Sequence, residues 1–204
     1  MTARGWAAED IKALEEILPA DTMLYVSFKN PGDQAAFRAS AAYRIAQGPE
    51  MKAFLANIED ELRVLHARYA AEIPVDIGLI EEALSDELSF AFTGLRQADE
   101  YSPPEPGIVI STVFQRAPED AEQALLAALN AASGGAVGDA QPAFEHQGAS
   151  VKSIPMPEGT LFYTFLGKRL IAASAEVDMR AMLDLAQAPG RSLSQDATFK
   201  KTMS

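Results

Sequence analysis

Two histidines, His66 and His146, are the residues best suited to proton transfer, and neither stands in a recognisable catalytic spacing. His66 lies about two helical turns after Glu59, on the same side of a helix. A hydrolase would need those two to meet in a cleft, whereas a histidine balanced by a carboxylate at a buried edge needs nothing further. His146, within Phe144-Glu145-His146-Gln147-Gly148, reads as an exposed turn residue. The acidic runs Glu15-Glu16, Glu59-Asp60-Glu61, Glu81-Glu82 and Asp86-Glu87 lack the D-x-D-x-D-G spacing of a calcium loop. Adjacent helical residues diverge by about 100°, so these runs read as solvated helix faces. Gly134, Gly135 and Gly138 follow a helix instead of opening one, which is the reverse of a phosphate cradle. No catalytic residue, metal site or cofactor is therefore expected.

Composition narrows the classes further. The 204 residues carry a net charge of -12 and contain no cysteine. Disulfides, thiolate zinc sites and thiol catalysis are excluded, and nucleic acid is a poor partner because no basic stripe exists to displace phosphate counterions. At 48% hydrophobic and 23% charged, the chain can fill a core and is not intrinsically disordered. The first residues, MTARGWAAEDIKALEEIL, lack the apolar run of a signal peptide.

The elements that would position any site are legible from periodicity. GTLFYTFLGKRLIAAS, from Gly159, reads as a hairpin whose strands are apolar on both faces, with Gly167 supplying a positive φ at the turn. Ser174 stands where the N-cap of the following helix, AEVDMRAMLDLA, belongs. Alternation predicts six strands, near 23–28, 88–93, 108–114, 149–154, 160–166 and 169–173, the last three forming a meander. Helical spacing predicts helices over 7–18, from about 34 to 47, over 51–69 as the longest, over 77–84, and from Pro118 to about 132. The segment from Gly138 to Pro142 reads as loop. A strand running into an acidic first turn and an alanine-rich helix recurs in LYVSFKNPGDQAAF, ISTVFQRAPEDAEQAL and LIAASAEVDMRAML. The expected fold is α+β: a mainly antiparallel sheet of about six strands covered by amphipathic helices.

Residues 1–190 are read as one domain and 191–204 as the start of a following, truncated unit. There Ser192 or Ser194 would cap a helix whose Phe199 docks weakly and whose later residues, with Met203, are loosely held.

Leu18-Pro19-Ala20-Asp21-Thr22-Met23-Leu24-Tyr25-Val26, the step IEEALSDELSFAF, the hairpin LFYTFLGKRLIAAS and SLSQDATFKK near the end resemble bacterial domain-of-unknown-function family 3352. The resemblance implies an exported or membrane-anchored parent protein and a repeat-like layout. It brings no catalytic residues.

These readings converge on a non-enzymatic, extracytoplasmic structural or interaction domain, whose partner would be another protein or the missing continuation of the same chain. The alternative is an apolar-ligand or lipid-binding domain lined by Met51, Phe54, Phe90, Phe92 and Phe165. A hydrolase using His66 and Glu59 is the third.

Overall fold

β1 (Leu24–Lys29), β2 (Glu87–Arg96) and β3 (Glu105–Val113) are rich in β-branched and aromatic residues, and the three pair antiparallel in sequence order. A computed structural model describes them together with the rest of residues 12–29, 47–49, 52–53, 78–79, 82–83, 86–97, 104–156, 159–188 and 190–203. After β3 come helix α2 (Pro118–Ala132), strands β4 (Gln141–His146), β5 (Ala149–Met156), β6 (Gly159–Leu166) and β7 (Arg169–Ala173), and helix α3 (Glu176–Gln187). A short α1 (Leu14–Ile17) precedes β1, and a 3-10 turn (Leu193–Gln195) leads into α4 (Ala197–Met203).

The strands form one seven-stranded antiparallel sheet in the order β1-β2-β3-β7-β6-β5-β4. The fold is α+β, with β5-β6-β7 as the expected meander. The strand count corrects the expectation of about six. β4, expected as loop and turn because QPAFEH carries a proline and a thin apolar pattern, is an edge strand, a setting in which a sheet tolerates proline.

Two of the hairpin turns use left-handed backbone. Gly167 has φ 59° at the β6–β7 turn, while Gln147 and Gly148, with φ 51° and 78°, close β4 on β5.

Helices cover the two sheet faces unequally. On one face Met179, Met182, Leu183 and Ala186 of α3 pack with Leu14, Ile17 and Leu18 of the α1 region over Ala91, Val109, Val151, Ile171 and Ala173. On the other, Ala121, Leu125 and Leu129 of α2 pack over Ile154, Tyr163, Phe165, Leu170 and Ala172. Leu79 joins this second cluster, and the adjacent Ala83 carbonyl accepts from Thr112 Oγ1 at 2.8 Å. The helices expected over 34–47 and 51–69 lie wholly or almost wholly outside the described residues.

Two expected caps are corrected. Ser174 does not cap α3: its hydroxyl accepts from Ile108 N and donates to Pro106 O, both at 2.9 Å, and so pins the end of β7 to β3. Neither Ser192 nor Ser194 caps α4. Asp196 does, its Oδ1 accepting from Thr198 N at 2.8 Å and Phe199 N at 3.0 Å. Phe199 is half-buried edge-on against Tyr25, with ring centroids 5.8 Å apart.

Candidate functional site

The strand registers bring nine side chains to one face of β1-β2-β3. Leu24 stands opposite Phe92 and Ile108, Val26 opposite Phe90 and Ile110, Phe28 opposite Leu88 and Thr112. Eight of these nine are apolar. Phe28 is 64% exposed, Leu24 51%, Ile110 42%, and Val26 and Phe90 36% each. Leu88, Phe92 and Ile108 are half-buried between them. Single exposed apolar side chains are common on soluble proteins, but a contiguous patch drawn from three neighbouring strands marks a surface that something else covers.

The reverse face of the same strands is closed, with Ala91 and Val109 in the core and polar groups beside them. Ser27, Ser89 and Ser111 form a cross-strand row, in which Ser89 donates to Glu87 Oε1 and its Oγ accepts from the Ser27 hydroxyl, both at 2.9 Å. Arg169 reaches from β7 across β3, donating to both Glu87 carboxylate oxygens and to Ser111 Oγ at 3.1 Å. Its side chain is 5% exposed and that of Glu87 12%, so the pair is held away from bulk water. Tyr25 donates to Glu15 Oε2 at 2.7 Å, and burial first, then Glu15, pushes its hydroxyl up to about 12. Asp178, 1% exposed on α3, accepts from Arg96 and from Thr93 Oγ1. Gly107 makes room for this, since a Cβ there would stand 2.9 Å from Asp178 Oδ2. Apart from Arg169 Nε, which has no partner among the described residues, these groups are satisfied within the fold and stiffen it.

A second polar cluster lies beside α2. Lys152 Nζ donates to Glu122 Oε1 at 2.6 Å and to Oε2 at 2.8 Å, and Tyr163 donates to Oε1 at 2.5 Å. Burial alone would raise the Glu122 carboxyl; the hydrogen bonds from Lys152 and Tyr163, with the lysine charge, outweigh it and hold the group below its ordinary value. Burial, and then Glu122, push the Tyr163 hydroxyl up, so it stays protonated. These residues line an open depression of about 440 Å³ together with Ser150, Thr164 and Phe165. Carboxylate, ammonium and phenol already answer one another, so the depression offers a ligand no poised base or nucleophile.

Of the residues singled out in the sequence, Phe90 and Phe92 meet on β2 within the exposed face. Phe165 shares that sheet side but lies on β6, with β3 and β7 between, and packs beneath α2 against Phe114. Met51, Phe54, His66 and Glu59 lie outside the described residues. His146 ends β4 instead of standing free in a turn, with Nε2 2.8 Å from Asp184 Oδ1 and Nδ1 3.3 Å from an Arg180 nitrogen. Hydrogen bonds from Gln147 and His146 hold the Asp184 carboxyl below its ordinary value. Glu15, Glu82 and Glu87, read as parts of solvated faces, each hold a partner: Tyr25, Arg116 and Arg169. Leu24, Val26, Phe28 and Ile110 were legible as strand residues, but not as a site. Among the described residues no group of acidic and histidine side chains could hold a metal, and no helix is long and apolar enough to cross a membrane.

No family model, curated protein or solved structure matches the chain.

Proposed function

We propose that this is a non-enzymatic, extracytoplasmic interaction domain that binds a protein partner through the open face of β1-β2-β3. The observation that carries the reading is the contiguous exposure of Leu24, Val26, Phe28, Phe90 and Ile110 on three hydrogen-bonded strands. Of the buried side-chain polar atoms described, Arg169 Nε alone lacks a hydrogen-bond partner, whereas eight of the nine side chains on this face are apolar. A net charge of -12 selects the partner's rim: a basic margin around an apolar centre, and neither an anionic membrane nor nucleic acid. The extracytoplasmic placement rests on the resemblance of the sequence to an exported family.

The test compares the native chain with Phe90→Glu/Ile110→Glu. Native protein is expected to bind the apolar dye ANS at neutral pH, and the double variant to lose that signal while melting as before. Absence of dye binding by the native protein would remove the face. Flotation with neutral phosphatidylcholine vesicles, lost in the double variant, would replace the protein partner by a lipid. A C-terminal alkaline phosphatase fusion to the parent gene, active only outside the cytoplasm, tests the compartment.

A further inference from the structure

The two edges of the sheet are built differently. β4 has Pro142 within it, a register shift between Pro142 and Phe144, and Glu145 and His146 at its end. Proline, a bulge and charge are the devices that keep a sheet edge from pairing with another chain. β1 has none of them along most of its length. Leu24-Tyr25-Val26-Ser27-Phe28 pairs with β2 without a register shift, contains neither proline nor glycine, and meets a charge only at Lys29. Among the described residues no strand pairs with its outer side. Its outward backbone donors and acceptors have no strand partner among the described residues, and they lie next to exposed Leu24, Val26 and Phe28.

We infer that β1 is a self-pairing edge, through which two copies of this chain join antiparallel about a two-fold axis at Val26. Symmetry and sequence select this occupant. A two-fold axis normal to the sheet keeps each face on its own side, so residues that oppose one another must have the same parity. Centred on Val26, Leu24 meets Phe28 of the second copy, Val26 meets Val26 and Tyr25 meets Ser27. Lys29 then faces Met23 of the second copy, and no like charges oppose along the seam. The apolar pairs gain cross-strand contact, and the open faces of both copies merge into one. Because β4 is guarded, the pairing closes as a dimer and does not extend into a fibre. A single six-residue edge lies at the small end of interfaces, so the dimer is weak and concentration-dependent.

The inference rests on the edge and goes beyond the proposed use of the face, and the two fail separately. Sedimentation of the full chain between about 10 µM and 1 mM, the range suited to a weak interface, is expected to show monomer passing to dimer. Val26→Lys and Val26→Glu, at a site already 36% exposed, are each expected to be monomeric, and an equal mixture to recover the dimer by pairing the new charges. Ile110→Glu, two strands from the seam, should leave dimerisation intact while weakening dye binding to the face. The chain has no cysteine, so Val26→Cys offers a readout independent of the charge variants: oxidation should give a cross-linked dimer, with Glu145→Cys on the guarded edge giving none. A native chain that stays monomeric throughout, a Val26→Lys dimer of native strength, or a charge mixture that stays monomeric would each overturn the inference.

Discussion

Phe28 and Phe165 stand at opposite ends of one cross-strand row, Phe28–Leu88–Thr112–Leu170–Phe165, on the same side of the sheet. They share residue type and sheet face, Phe28 on the edge strand β1 and Phe165 on the interior strand β6. Phe28 is 64% exposed, and Phe165 packs under α2 beside Phe114 and Leu170. The contrast shows that a strand's apolar side is an offer of burial, and the route of the chain decides whether it is taken up. After β3 the chain enters α2 at Pro118 and is laid over β5-β6-β7, and on β1-β2-β3 the described helical residues reach that side only where Ala83 O accepts from Thr112 Oγ1. On the reverse side α3 and α1 reach both halves.

The largest effect should come from the tie between the two halves, since Arg169 on β7 grips Glu87 on β2 across β3. Arg169→Ala leaves a buried carboxylate without its main cation and is expected to cost about 3–5 kcal/mol in urea unfolding. Glu87→Leu/Arg169→Met should recover most of that. A double variant as unstable as the single would show that the tie does more than balance charge.

On the covered half, Phe165→Asp should destabilise by about 3 kcal/mol, because it sets a charge beneath α2. Melting close to native would mean that α2 does not seal that end of the row.

A smaller effect follows pH on the same half. Glu122 titrates below its ordinary value when folded, so its contribution is fully present above the unfolded carboxyl range, about pH 4.3, and is lost as pH falls through the lower folded value. Glu122→Gln is expected to cost about 1 kcal/mol at neutral pH and to flatten the acid limb of thermal midpoint against pH. An unchanged acid limb would detach this carboxylate from stability.

The smallest effect is expected at the open end of the row. Phe28→Asp should shift stability by less than about 0.5 kcal/mol, as surface substitutions do. A cost equal to that of Phe165→Asp would abolish the difference between the halves.

Much of the fold was written locally. The 159–173 hairpin, the β2–β3 pairing and the Pro118 helix start follow from alternation, a turn glycine and a proline at N1. β4 escaped because an edge strand gains little from being apolar, so QPAFEH lacks the pattern that marks a strand. Ser174 was misread because a hydroxyl before a helix can serve the cap or a neighbouring strand, and only the β3–β7 register places Ile108 N within its reach. Glu87 reads in sequence as part of a solvated face, and nothing there pairs it with Arg169 or Asp178 with Arg96, since each partner lies 82 positions away along the chain.

The sequence by itself determined that the chain makes an antiparallel sheet with amphipathic helices, and it determined which residues lie on opposite sides of each strand. Those features depend on side-chain period and backbone preference within a few residues. Only the tertiary structure decided which side is sealed, which charges are buried in pairs, and that Phe90 is exposed while Phe165 is covered. Alternation assigns residues to two sides without saying which is inside, because burial depends on what the rest of the chain brings to lie against each side.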